Sequence, residues 1–156
     1  MAGQFRYTVW DPVMIISQIV TLQSVFYVCL GLWITLFDLM TGESRSLDQI
    51  FKYQALAPAS FSGKLVIAAF ILNALNCSVG LWYVVQRTKL CLDFSCTVHL
   101  LHLVICVWYN SSLPYTLSWW MINIVCTAIL CVTGEFLCMR TELQSIPVSM
   151  GPKTDL

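Results

Sequence analysis

The chain has 156 residues, of which 58% are hydrophobic and 10% charged. Soluble domains carry about 25% charged residues, so most of this surface cannot face water. Eight basic residues balance eight acidic ones, which leaves no electrostatic footprint for nucleic acid.

The first apolar run, Val13 to Phe37, is 25 residues long, or about 37 Å as a helix. That is too long for a signal-peptide core, and no small-residue cleavage site follows it, so it reads as a first transmembrane helix. Ser17, Thr21 and Ser24 recur at helical spacing beside Gln18, a stripe suited to hydrogen bonds between helices. A polar connection of 27 residues follows, Asp38 to Lys64. Within it, SLDQIFKY predicts a short amphipathic helix with Ser46 and Gln49 as a capping box and Leu47, Ile50 and Phe51 on one face. Such a helix would lie on the bilayer interface or pack onto the bundle, and the sequence does not separate the two.

Leu65 to Val85 is the second span, with Asn73 and Asn76 one turn apart. Amides in lipid demand partners, so their face is expected to meet another helix. A short basic turn carrying Arg87 and Lys89 leads past Asp93 into a third span, Phe94 to Tyr109, of only 16 residues. Ser95, His99, His102 and Cys106 fall on one face of it. The turn NSSLPYT, closed by Pro114, connects to a fourth span, Leu117 to about Met139. Around that turn Trp108, Tyr109, Tyr115, Trp119 and Trp120 form an expected interfacial aromatic belt. Asn123, Thr127 and Gly134 align on the fourth span with Glu135 flanking them, and residues 140–156 make a polar tail. The fold class is therefore all-α: a polytopic membrane protein forming a single four-helix transmembrane bundle, residues 1–156, with a short interfacial helix in the first loop. Asn76 and Asn110 both stand in glycosylation sequons, the first inside the membrane and the second too close to it for use.

Orientation follows from the loops. Arg6, Arg87, Lys89, Arg140 and Lys153 lie on one side, and Arg45, Lys52 and Lys64 on the other, which puts both termini in the cytosol. The eight cysteines lie in or beside apolar runs and never as CxxC, so they read as small buried residues, not a disulfide framework. Cys91 and Cys138, at expected cytosolic helix ends, are candidates for palmitoylation.

Intramembrane ionisable groups are functional candidates by default, here His99, His102 and Glu135. Counted from the flanking charges, Glu135 and His99 come out at similar depths, about 7–9 Å from the cytosolic ends of their helices. A His99–Glu135 pair would serve as structural glue, a proton relay or part of a zinc site. Nothing else in the sequence supports a metal. There is no HExxH, no CxxC and no glycine-rich phosphate loop, so catalysis and cofactors are not expected.

Several strings carry a resemblance: SLDQ at 46–49 with Phe51, FILNAL at 70–75, CLDF at 91–94 with TVH at 97–99, and LCMRTEL at 137–143 before Ile146 and Pro147. Together they resemble the Sys family of Golgi integral membrane proteins, over essentially the whole chain. The resemblance implies residence in the trans-Golgi membrane and a role in vesicle trafficking. It further implies recruitment of an Arf-related small GTPase, which then promotes recruitment of a further Arf-like GTPase and of golgin tethers. That GTPase would be held through an acetylated N-terminus, a weak anchor that needs a receptor. No contact motif comes with the resemblance. Topology alone offers a cytosolic docking face of Tyr7, Trp10, Asp11, Arg87, Lys89, Asp93, Arg140 and Glu142, with Trp10 as an aromatic anchor. The alternative is a small proton- or ion-coupled transporter using Glu135, His99 and His102. The oligomeric state stays open.

Overall fold

The computed structural model describes residues 11–145, and every regular element among them is helical. The long helices are α1 (Pro12–Thr41), α3 (Phe61–Val84), α4 (Cys91–Asn110) and α5 (Leu117–Ser145); α2 is a single turn, Asp48–Phe51. Four stretches are long and apolar enough to cross a membrane: Pro12–Thr41, Phe61–Val84, Thr88–Asn110 and Leu117–Gln144. In lipid the backbone must satisfy itself, which is why the chain between the caps is helical throughout.

The ends are set by local chemistry. Asp11 Oδ1 accepts the backbone N–H groups of Val13 and Met14 at 3.1 and 3.3 Å, and Pro12 occupies the first helical position. Gly42, at φ 73°, closes α1 with its N–H on Asp38 O at 2.8 Å. Ser60 caps α3 by accepting from Gly63 N at 3.0 Å. Gln86 at φ 56° and Ser111 at φ 54° turn the chain out of α3 and α4.

The spans outrun their apolar cores. α1 continues through Asp38, buried at 7% exposure, so the first connection starts four residues later than its polarity suggests. The third span is not short: α4 begins at Cys91, after a 3₁₀ turn over Thr88–Leu90. α5 runs six residues beyond Met139. Polar residues at these ends pair with neighbouring helices, so they cost the helix nothing that would stop it.

α3 packs against α1 on one side and α5 on the other, and α4 closes the bundle against α5 and α1. Its core contains Leu22, Phe26 and Leu30 of α1, Phe70 and Leu81 of α3, Val98 of α4 and Leu130 of α5. Ser17, Thr21 and Ser24 lie outside this core. Each is exposed and donates to the carbonyl four residues back, so the interhelical bond is instead made by Gln18, whose Nε2 donates to Val84 O at 3.1 Å. Asn73 is fully buried, but Asn76, a further 60° around the helix, faces outward, contrary to the expectation for both amides. Trp119 leaves the expected belt for the core, at 2% exposure, while Trp108, Tyr109, Tyr115 and Trp120 stay exposed.

The capping box in the first loop does not form. Leu47 is the N-cap of α2, Ser46 Oγ accepts from Asp48 N at 3.1 Å, and the Gln49 side chain turns away to donate to Asp38 Oδ1 at 3.1 Å. α2 packs onto the bundle, with the Phe51 ring against Tyr27, His102 and Tyr109. Tyr109 donates to Asp48 Oδ1 at 2.6 Å, and Asn110 Nδ2 donates to Phe51 O and Cys106 O, each at 2.8 Å, which occupies the amide of the sequon. Lys52 Nζ lies 2.9 Å from Asp48 Oδ2. These two donors, the Tyr109 hydroxyl first, hold the Asp48 carboxyl below its ordinary range, and Asp48 holds Lys52 above its own.

Candidate functional site

One end of the bundle gathers the start of α1, the turn between α3 and α4, and the end of α5. Three cross-links fix it besides Gln18. Trp82 Nε1 donates to Thr141 Oγ1 at 2.6 Å, tying α3 to α5. Thr88 donates its hydroxyl to Glu142 Oε2 at 2.9 Å and its backbone N–H to Oε1 at 3.4 Å. The thiol of Cys91 meets that of Cys138 at 3.6 Å. Both cysteines are at 0% exposure, so neither presents a sulfur for palmitoylation; Cys96 is the exposed one.

On this frame the expected docking residues fall as follows. Arg87 and Lys89 are exposed on the turn that Glu142 braces, Asp93 is exposed in the first turn of α4, and Arg140 is exposed on α5. Asp11 caps α1 at the same end. Glu142 is half-buried and acts as an acceptor for the turn. Tyr7 and Trp10 lie outside the described residues. Sequence reasoning had placed Glu142 on the docking face and missed its bracing role, along with Trp82 and Thr141. Their contacts join residues 54 and 59 positions apart, which no local pattern reveals.

The buried polar group is organised around His102, at 0% exposure. Its Nδ1 lies 3.0 Å from Tyr27 Oη, and its ring is enclosed by Phe26, Tyr27, Phe51, Phe70 and a stacked Trp119 at 6.3 Å. Ser95, His99, His102 and Cys106 are all buried, so the stripe read from spacing is a core face. The His99–Glu135 pair is not formed. His99 Nδ1 is bonded to Ser95 O at 3.1 Å and its Nε2 has no partner, while Glu135 Oε1 accepts the Cys131 thiol at 3.4 Å. The depths differ because α5 does not end at Arg140. Antiparallel register from Cys91 opposite Cys138 sets Glu135 level with Phe94, about 7 Å along the axis from His99. Among the described residues, no three His, Cys, Asp or Glu side chains converge as a metal site would require.

Residues 5–148 match the family model SYS1, described as an integral membrane protein linking to the trans-Golgi network. The chain belongs to the SYS1 family. A SYS1 homolog of Nematostella vectensis is 49% identical over 151 residues, covering 97% of this chain and 96% of the relative. A SYS1 homolog of Dictyostelium discoideum is 42% identical over 151 residues, covering 97% and 65%. Protein SYS1 of Saccharomyces cerevisiae is 24% identical over 141 residues, covering 90% and 69%. No solved structure matches. As a SYS1-family member with four candidate spans, this is a multi-pass membrane protein of the Golgi. The matched region holds every described residue of the candidate face and both histidines.

Proposed function

We propose that this protein is a trans-Golgi membrane receptor that recruits an Arf-related small GTPase from the cytosol and so supports vesicle trafficking. Membership of a family linked to the trans-Golgi network supports the compartment. The observation that carries the receptor reading is the braced turn at the Asp11 end. Arg87 and Lys89 stand exposed on a backbone fixed by Thr88–Glu142 and backed by Trp82–Thr141. A rigid basic ledge loses little conformational entropy on binding, and its charge favours encounter with an acidic partner surface. Orientation with this end in the cytosol follows from the lysine and arginine balance of the loops.

The test is the location of the Arf-related GTPase in cells depleted of this protein. Dispersal into the cytosol, reversed by re-expression of the wild type but not of Arg87→Ala/Lys89→Ala at equal abundance, is the expected result. Unchanged Golgi staining after depletion overturns the receptor reading. Full rescue by the double variant removes the ledge from it.

A further inference from the structure

The end of α1 opposite the basic ledge holds a polar recess. Asp38 lies in the last turns of the helix at 7% exposure. Its Oδ1 accepts from Gln49 Nε2 at 3.1 Å, but its Oδ2 has no partner, and neither has Gln49 Oε1, although both atoms are buried. The two unmatched acceptors sit on two side chains that are hydrogen-bonded to each other and line one cavity. Both residues line a cavity of about 260 Å³ between α1 and the loop entering α2. Arg45 lines the same cavity and makes no ion pair among the described residues, and Ile34, Leu47 and Ile50 supply its apolar wall. Gly31 lies on its α1 side, where an added Cβ would meet nothing within 4 Å.

The chemistry of the occupant follows from these groups. Two acceptors call for a group with several N–H donors and no acceptor of its own, which describes an ammonium. Arg45 beside them disfavours a simple cation and favours a ligand that also carries an anion. A phosphate next to a primary ammonium meets both, and Arg is the side chain best matched to phosphate oxygens. The position near the end of a membrane span, with an aliphatic wall, puts this zwitterion at headgroup level. We propose that the cavity binds the headgroup of an ethanolamine phospholipid, with the ammonium on Asp38 Oδ2 and Gln49 Oε1 and the phosphate on Arg45. A choline headgroup has no N–H and leaves both acceptors unmatched.

The full-length protein, reconstituted in bilayers of equal phosphatidylethanolamine and phosphatidylcholine with identical chains, is extracted and its retained lipid quantified by native mass spectrometry. Ethanolamine lipid is expected in excess by about tenfold, the worth of a charge-assisted hydrogen bond. Asp38→Asn should bring the ratio to unity. Gly31→Leu, which narrows the cavity from its α1 wall, should lower retention of both lipids, and Arg45→Ala should lower ethanolamine-lipid retention. Equal retention of the two lipids by the wild type overturns the proposal. So does a rise in ethanolamine-lipid retention on Arg45→Ala, which would make Arg45 the occupant of Asp38. Soluble phosphoethanolamine is the second probe: competition at concentrations comparable to the lipid would overturn the membrane source. Melting temperatures of each variant separate loss of the site from loss of the fold.

Discussion

The contact between α3 and α5 gives the sharpest test of how the bundle is built, because it turns on one missing methyl group. Gly134 of α5 faces Leu81 of α3, which is at 0% exposure. A Cβ at position 134 would stand 2.5 Å from Leu81 Cδ2 and 3.4 Å from its Cγ. Carbon atoms pack best at about 3.5–4.0 Å, so about 1 Å must be absorbed by a shift of the fully buried Leu81 side chain. Overpacking of this kind costs about 1–3 kcal/mol. The helix-propensity gain from replacing glycine, about 1 kcal/mol in water, is smaller here because the separated helix stays helical in lipid. Gly134→Ala should therefore destabilise by about 1–2 kcal/mol, about 5–30-fold in the folded-to-unfolded ratio. Leu81→Ala alone loses packing too, toward the low end of the usual 2–5 kcal/mol, since an exposed leucine returns to lipid and not to water. In the double variant the new Cβ occupies the space that Leu81 vacates. The coupling should then be favourable by about 1–2 kcal/mol. Thermal unfolding of the detergent-solubilised protein, followed by size-exclusion chromatography, reads all four states. A Gly134→Ala protein that melts with the wild type, or a double variant whose losses simply add, would refute the reasoning. The effect should reach the ledge as well, because Thr141 lies two turns beyond Gly134 and takes the Trp82 bond.

The turn itself is open to a backbone test: Gln86 sits at φ 56°, so Gln86→Gly should stabilise by about 1 kcal/mol and keep the proposed GTPase recruitment, while Gln86→Val should lose both, measured by melting and by co-localisation. Tyr27→Phe removes the hydroxyl next to His102 Nδ1 and should cost about 1–2 kcal/mol, whereas Tyr27→Phe/His102→Phe should restore most of that in the same melting assay. The link between Asp48, Tyr109 and Lys52 carries a pH dependence. The Asp48 carboxyl is held below its ordinary range, so its contribution is fully present above the unfolded value, about pH 4, and is lost as pH falls through the lower folded value. Hydrogen exchange of the 48–52 amides should rise only in that acid window, and in Asp48→Asn it should be raised already at neutral pH; a flat acid profile in the wild type would contradict the assignment.

Hydropathy made the four spans legible, because a stretch that must cross lipid leaves a long apolar run whatever it packs against. The same signal misjudged where the helices end. Asp38, Thr88, Thr141 and Glu142 look like loop residues by polarity, yet each has a partner in another element or on the helix itself, so the helical or 3₁₀ backbone continues through them. The depth error for Glu135 came from the same source: Arg140 reads as an exit, but α5 carries on to Ser145. Side-chain direction was legible where one face had a clear periodicity, as for Ser95, His99, His102 and Cys106. It was not legible for Ser17, Thr21 and Ser24, because a hydroxyl can satisfy itself on its own helix and needs no neighbour. Trp119 was misread because an aromatic beside an interface is a belt residue or a core residue according to its rotation, and one turn of sequence does not fix that rotation.

The two polar regions of the bundle differ in a way that bears on the proposed receptor role. His102 sits among five aromatic rings with a hydroxyl on Nδ1, and His99 and Glu135 each bond within their own helix. A relay needs ionisable groups in contact or bridged along a path, and Glu135 is offset by about 7 Å along the axis from His99, with each bonded to another group. The Tyr27–His102 contact joins α1 to α4 and fixes their register, as buried polar residues do in other bundles. The Asp11 end is different. Its bonds run between elements, Trp82 to Thr141 and Thr88 to Glu142, and they leave Arg87, Lys89, Asp93 and Arg140 outward and exposed. Bonds that stiffen a surface while leaving its charges unspent suit recognition of another protein. The interior, by contrast, turns most of its polar groups back onto their own helices, and Tyr27–His102 is the contact that ties α1 to α4.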